Sequence, residues 1–322
     1  RMTNTPAPWT ERMPELEPFD EHNRELLSHV HPPDWVNPEP ADRYNLVTIG
    51  AGTAGLVASA AAAGLGGRSA LVERGLMGGD CLNVGCVPSK AIIRCARAAA
   101  DVRRAGDFGV VVPGEPTVDF PRVMQRMRRM RAEISPHDSA RRLSDLGVDV
   151  FLGEGRFAGP DTLEVGGRTL RFARAVIATG SRPAIPAVPG LAEAGYLTNE
   201  TIFSLIQRPQ RLAVMGAGPI GCELAQAFAR LGSKVTLIEA DPEILPGEDR
   251  EAAERVAAAF RADGLRIVCG GKAARVESTN NQKLIHLECE GRKEQVTVDE
   301  ILVAVGRKSN IESLNLERAG VA

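Results

Sequence analysis

Apolar and polar positions along the chain fall into two regimes. Short apolar runs at Leu46–Ile49, Ser69–Val72, Ala173–Ala178, Leu212–Met215 and Val235–Ile238 read as buried strands. Helical stretches join two pairs of them, one running to Leu65 and the other to Leu231-Gly232. A third helix is expected to open within Gly78–Lys90, run on through Ala91–Val102 and stop at Gly106. In Arg122–Ile134, Val123, Met127, Met130 and Ile134 recur at helical spacing and predict a buried stripe, with Arg122, Arg126 and Arg129 on an adjacent solvated face. Segment 148–172 alternates apolar and polar residues between glycine turns, as a small antiparallel sheet would, and 284–305 alternates likewise. Strands alternating with helices predict an α/β fold.

The strand–helix–strand pattern occurs twice with the same punctuation. Leu46–Ile49 runs into Gly50-Ala51-Gly52-Thr53-Ala54-Gly55, and the strand after the helix ends in Glu73. The second copy reads Gly216-Ala217-Gly218-Pro219-Ile220-Gly221 and ends in Glu239, at a constant offset of 166 residues. Over 31 aligned positions, eleven are identical. The first glycine permits a tight turn, the second lets backbone approach a pyrophosphate, and the third lets helix and strand pack closely. The helix N-terminus faces the phosphates, and the acid accepts hydrogen bonds from a ribose diol. Two Rossmann-like dinucleotide-binding domains are therefore expected.

Composition narrows the function. The 322 residues carry 39 Lys and Arg against 41 Asp and Glu, a net charge of −2, which argues against nucleic-acid or membrane binding driven by bulk charge. No apolar run nears the roughly 18 residues a membrane span needs. No signal-peptide pattern opens the chain, so a cytoplasmic, reducing location is expected. Residues 1–40 hold eight of the 21 prolines together with Trp9 and Trp35, and are expected to form an extended arm on a folded body. His22, His29 and His31 in that arm lack metal-ligand spacing and are expected to be solvated. The expected boundaries are 1–40 for the arm, 41–182 and 183–304 for the two nucleotide-binding domains, and 305–322 for a return to the first.

Six cysteines are too few for a disulfide scaffold. Cys81 and Cys86 lie in Gly78-Gly79-Asp80-Cys81-Leu82-Asn83-Val84-Gly85-Cys86-Val87-Pro88-Ser89-Lys90. Pro88 suits a first helical turn, so Cys86 lies at a helix N-terminus that favours an anionic sulfur, with Lys90 one turn along the same face. A structural disulfide would close too short a loop to stabilise much. Zinc needs four ligands, and only Cys95 is near, so no metal is expected. A redox-active dithiol is the remaining reading. Cys222, Cys269 and Cys289 show no pairing pattern and read as packing thiols.

Together these motifs resemble the pyridine-nucleotide disulfide oxidoreductases, whose members include dihydrolipoamide dehydrogenase, glutathione reductase and mercuric reductase. The resemblance runs from about Tyr44 to the end and is most specific over Cys81–Lys90. Asp80 stands where members usually have Thr, as in a mercuric-reductase-like subgroup. The resemblance implies FAD on the first fingerprint (Gly50, Gly52, Gly55, Glu73) and a nicotinamide nucleotide on the second (Gly216, Gly218, Gly221, Glu239). It implies that Cys86 is the charge-transfer thiol beside the flavin, that Cys81 is the interchange thiol, and that Lys90 pairs with Glu223 near the flavin. Gly155, Thr179 and Arg307 would line the FAD site and Gly306 would lie near the nicotinamide; Gly79, Asp80 and Gly180 join the cofactor-binding set. Electrons would pass from NAD(P)H through FAD and the dithiol to a small disulfide or Hg(II). Glu239, with no Lys or Arg between Val235 and Glu248, predicts NADH over NADPH. The family's late Ala-x-Gly-Asp segment, its dimerisation domain and its His-x-x-x-x-Glu pair do not occur here. A truncated chain is therefore expected, inactive in turnover and cut from a homodimeric parent. The alternative function is a catalytically incomplete dinucleotide-binding fragment.

Overall fold

The computed structural model describes residues 16–114, 116–279, 282–289 and 291–321; Trp9 lies outside them, as does Ala322. The chain divides into two compact units. One comprises Arg1–Val87, Arg128–Arg182 and Ser309–Ala322, the other Pro88–Met127 and Pro183–Lys308.

The first unit is built on a six-stranded sheet. Its strands are β1 (Tyr44–Ile49), β2 (Ser69–Glu73), β3 (Val148–Leu152), β4 (Arg156–Gly159), β5 (Thr162–Val165) and β6 (Arg168–Ile177), in the order β3-β2-β1-β6-β5-β4. β1, β2 and β3 are parallel, so the start of the alternating segment at 148 is an edge strand of the parallel sheet and not part of an antiparallel one. The antiparallel meander is confined to β4, β5 and the first half of β6. The apolar second half of β6 turns to run parallel beside β1, with Val47 opposite Ala175. On one side of the sheet Tyr44 meets Phe151 edge-on, at 6.5 Å between ring centroids.

The arm differs from its expected extended form. Residues Glu21–Val30 form helix α1, capped by Asp20, whose side chain accepts the Asn23 N–H at 3.0 Å. Leu26, Leu27 and Val30 supply a buried face that the prolines on either side obscure in the sequence. His31 is buried, not solvated, and its Nδ1 lies 2.7 Å from the Gly75 carbonyl; His29 Nδ1 lies 2.8 Å from Ser135 Oγ. Beyond the helix, the Asn37 amide pairs with both the N–H and the C=O of Leu152, at 2.8 and 2.9 Å. Trp35 Nε1 donates to the Val150 carbonyl at 3.2 Å.

The second unit repeats the parallel arrangement. Strands β7 (Arg211–Met215), β8 (Lys234–Ile238), β9 (Arg266–Val268) and β13 (Glu300–Val303) stand in the order β9-β8-β7-β13, all parallel. Between β9 and β13 comes an antiparallel sheet of β10 (Gly271–Thr279), β11 (Gln282–Cys289) and β12 (Arg292–Val298). The alternating stretch 284–305 therefore serves two sheets, and its last strand returns to the parallel one.

Other helices include α2 (Thr53–Gly64), α3 (Gly79–Asn83), α4 (Cys86–Arg103), α5 (Phe120–Ile134) and α6 (Pro219–Arg230). Residues 88–127 group with the second unit and not with 41–182. Lys90 pairs there with Glu223, and the Phe120 and Phe228 rings meet at a tilt, 5.9 Å between centroids. The buried face of α5 is also turned from the expected one. It consists of Phe120, Met124, Met127, Arg128, Arg131 and Ala132, whereas Ile134 is exposed. The two inward arginines have polar partners in Asp20, the cap of α1, and Asn23 within it, which the apolar periodicity could not reveal.

Candidate functional site

The repeat in sequence is a repeat in geometry. α2 and α6 begin at Thr53 and Pro219 and end at Gly64 and Arg230, 166 residues apart at both ends. Gly50 and Gly216 adopt φ of +102° and +99°, and a Cβ on either would meet the carbonyl oxygen of Ala178 at 2.3 Å or of Ala304 at 2.4 Å. Gly55 and Gly221 bring each helix onto its own turn, since a Cβ there would fall 1.8 Å from Gly50 O and 2.0 Å from Gly216 O. By contrast, a Cβ on Gly52 meets nothing nearer than Gly79 Cα at 3.8 Å, and one on Gly218 meets nothing within 4 Å. Each loop thus leaves space in front of a helix N-terminus, the arrangement that suits a pyrophosphate.

The two acids close the loops alike. Glu73 accepts from Ala51 N and Gly75 N, each at 2.6 Å, while Glu239 accepts from Ala217 N at 2.6 Å, Ala240 N at 2.7 Å and Asp241 N at 3.1 Å. Burial raises the Glu73 carboxyl above its ordinary range, against the pull of the Ala51 and Gly75 N–H groups. Glu73 lines a pocket with Gly50, Gly155 and Thr179, closed on another side by Asn310 and Ser313. Gly180 turns the chain beside it at φ +65°, and its carbonyl accepts the Asn310 N–H at 3.0 Å. In the second unit a pocket of about 620 Å³ is lined by Gly216, Gly218, Glu239, Lys272, Gly306 and Arg307. Arg307, linked to FAD by the resemblance, lies in this second pocket because it follows β13 and Gly306, and its Nη1 is 3.4 Å from Asn199 Oδ1. The residues present therefore fit an adenine dinucleotide at each loop.

The cysteines sit on successive helices, Cys81 inside α3 and Cys86 at the start of α4, rather than on one. The two are not joined in a disulfide, and the Cys86 thiol lies close enough to Cys81 to act on its titration. Gly85 makes this possible. It lies so close to α3 that a Cβ would be 2.7 Å from Asp80 O and 3.4 Å from Cys81 Cα. Gly79 presses the same loop onto the first glycine turn, where its Cβ would be 2.7 Å from Gly52 Cα. Asp80 is exposed in the first turn of α3, and its carbonyl accepts the Val84 N–H at 2.9 Å. Burial and then the Cys86 thiol raise the Cys81 thiol above its ordinary range; the Thr53 hydroxyl, at the first turn of α2, works against them, and the Asp138 carboxylate adds to them.

In the second unit, Lys90 Nζ donates to both Glu223 oxygens at 2.6 and 2.7 Å. Cys222 is buried with its Sγ 3.2 Å from the Ala217 carbonyl, and burial pushes its thiol up to about 12. Among the described residues no three His, Cys, Asp or Glu side chains converge on a metal position, and no helix is long and apolar enough to cross a membrane. The sequence reading missed Thr53, Gly85, Lys272 and Asp138. Gly85 had a local signal, a glycine just before a helix start; the other three reach their sites only through the fold.

The sequence profile of the pyridine nucleotide-disulphide oxidoreductases matches residues 44–322. A mercuric reductase of Bacillus cereus is 35% identical over 286 residues, covering 89% of this chain and 45% of that protein. A dihydrolipoyl dehydrogenase of Thermus scotoductus is 37% identical over 287 residues, or 86% of this chain and 60% of its own length. Among solved structures, the HOCl-induced flavoprotein disulfide reductase RclA from Escherichia coli superposes with a TM-score of 0.75 at 31% identity, covering 87% of this chain and 60% of that one. The chain spans about half the length of the curated relatives it matches.

Proposed function

Because the chain belongs to the pyridine nucleotide-disulphide oxidoreductase family, we propose that it carries the electron path from a nicotinamide nucleotide, by way of FAD, to a Cys81–Cys86 disulfide. From there the path leads to a small disulfide or to Hg(II). The observation that supports this most is the close approach of Cys81 on α3 to Cys86 at the start of α4 across Gly85, beside Thr53 on the helix that opens from the first glycine loop.

Gly50, Gly52 and Gly55 with the N-terminus of α2 would hold the FAD pyrophosphate, and Glu73 its ribose; Gly216, Gly218, Gly221 and Glu239 would do the same for the nicotinamide nucleotide. FAD, when bound, supplies a ring that accepts hydride from a reduced nicotinamide and passes an electron pair to a disulfide. Two electrons and two protons open the Cys81–Cys86 bond to two thiols. Cys81 then attacks the substrate disulfide as a thiolate, its sulfur steadied by the Thr53 hydroxyl. The mixed disulfide is resolved by Cys86, which restores the internal bond and releases two substrate thiols. With Hg(II) the same two sulfurs ligate the ion with loss of both protons, and their electron pair reduces it to the metal as the Cys81–Cys86 bond re-forms. Lys90 and Glu223 are proposed as the charged pair on the flavin side.

NADH is the proposed nucleotide. Three backbone N–H groups pin the Glu239 carboxylate at the second pocket, where it suits a ribose diol and repels a 2′-phosphate. The test is anaerobic reduction of the FAD-reconstituted protein with NADH, followed by counting thiols and by turnover with lipoamide and with Hg(II). Two new thiols per chain are expected. Cys81→Ala and Cys86→Ala variants that still reduce either substrate would overturn the proposal.

A further inference from the structure

Helix α1 lies ahead of the span matched to the family, yet it is tied to the dithiol loop throughout its length. At its C-terminal end, the Val30 carbonyl accepts the Met77 N–H at 3.0 Å, and His31 Nδ1 meets the Gly75 carbonyl at 2.7 Å. Along its face, Leu26 and Val30 pack in one buried cluster with Met77 and Leu82. At its N-terminal end, two arginines one turn apart on α5 grip it: Arg128 Nε donates to Asp20 Oδ2 at 2.5 Å and Arg131 Nη2 to Asn23 Oδ1 at 2.7 Å.

Arg131 also reaches the loop itself. Its Nη1 donates to the backbone carbonyl of Asn83 at 2.7 Å. Asn83 lies between the two cysteines and ends α3, so this carbonyl is one the short helix leaves unpaired. The Asn83 side chain donates in turn to the Met77 and Gly79 carbonyls, at 3.0 and 2.9 Å, and brackets the loop from within. Asn23, Arg131 and Asn83 are all at least nine-tenths buried. A buried guanidinium is costly and is kept where its planar fork must hold two acceptors at fixed angles. Arg131 Nε and Asn83 Oδ1 have no hydrogen-bond partner, so the bridge is retained although it is imperfectly satisfied.

We propose that Asn23 and Arg131 are positioning residues for the Cys81–Cys86 pair. Acting through the Arg131 guanidinium on the Asn83 carbonyl, α1 sets the orientation of α3, hence the separation and angle of the two sulfurs and the reduction potential of the pair. The physical basis is that disulfide geometry is narrow and departures from it change how readily the bond is reduced. The inference rests on reading the pair as a redox dithiol, and the test separates the two.

The chain is equilibrated in glutathione buffers of graded ratio, where one glutathione disulfide and the two thiols exchange to give the internal disulfide and two glutathiones. It is then acid-quenched, alkylated and weighed. Wild type should show one two-electron transition. Asn23→Ala, and the more severe Arg131→Met, should shift its equilibrium constant at least tenfold, about 30 mV. Asn23→Asp keeps an acceptor for Arg131 and should stay within threefold of wild type. Val165→Ala, buried in a different cluster of the same unit, should lower the melting temperature without moving the transition. Asn23→Ala and Arg131→Met titrating on the wild-type curve would overturn the positioning role. A wild type with no transition at all would overturn the dithiol reading, and the inference with it.

Discussion

Glu239 accepts the backbone N–H of Ala217 at 2.6 Å, the contact Glu73 makes with Ala51 at the same distance in the other unit. In each unit the acid at the end of the second strand thus closes the glycine turn at the end of the first. A side chain held in this way has little freedom to swing from an incoming nucleotide. Its charge acts on whatever occupies the ribose position.

Nucleotide choice follows from that restraint. A 2′-phosphate near a pinned carboxylate should cost NADPH roughly 10- to 100-fold in affinity relative to NADH. Lys272 lines the same pocket and offsets part of this repulsion, which the sequence around Glu239 does not disclose. Titrating both nucleotides by fluorescence should therefore show a preference for NADH that widens in Lys272→Ala and inverts in Glu239→Arg. Equal affinities in the wild type would refute the claim.

Two glycines of the first loop should fail in different ways. Gly55→Ala places a methyl 1.8 Å from the Gly50 carbonyl and should unfold the first unit or lower its melting temperature steeply. Gly52→Ala has 3.8 Å of clearance within the protein and should fold normally, yet crowd a pyrophosphate. Calorimetry paired with FAD titration checks this: a Gly52→Ala protein that binds FAD as well as wild type would refute the assignment of that loop.

Gly85 sets the approach of the two cysteines. In Gly85→Ala the new methyl meets the Asp80 carbonyl at 2.7 Å, which should cost roughly 1–3 kcal/mol and move α4 away from α3. Oxidation of the pair, followed by the loss of two titratable thiols, should slow at least tenfold relative to wild type. An unchanged rate would mean that the sulfurs meet by another route.

The seat of α1 should weaken in acid. Partial burial acts to raise the Asp20 carboxyl, but the Asn23 N–H and the Arg128 guanidinium outweigh it, and the net shift is downward. A carboxyl lowered on folding stabilises the protein above its unfolded value, and that contribution is lost as the pH falls through the folded one. Asp20→Asn should therefore be less stable than wild type at neutral pH, and the gap should close below about pH 4. A gap constant with pH, measured by urea unfolding, would argue against the ion pair.

The sequence disclosed what local spacing encodes. Gly50 to Gly55, Gly216 to Gly221 and the two acids could be placed because a turn, a close helix and a chain-end carboxylate each demand one residue type at one offset. Cys81 and Cys86 were legible for the same reason. What stayed hidden was set by distant partners. Arg128 and Arg131 have no local signal in the apolar spacing, because Asp20 and Asn23, their partners, lie 108 residues away along the chain. His31 is buried because Gly75 comes to it across 44 residues. Helix α1 was masked by prolines that flank it rather than interrupt it. Residues 88–127 group with the second unit, where Glu223 and Phe228, far along the chain, take up Lys90 and Phe120.

The Asn37 amide does for Leu152 what a neighbouring strand would do, pairing with its donor and its acceptor at once. β3 is the last strand on its side of the sheet, with Val148, Val150, Phe151 and Leu152 all buried. An uncovered edge of that composition is a template for strand addition from another molecule. The arm is thus a guard against self-association as well as a support. A protease cut between Asn37 and Tyr44 would free the guard from the sheet and leave a sticky border where molecules of the cleaved protein could stack into aggregates.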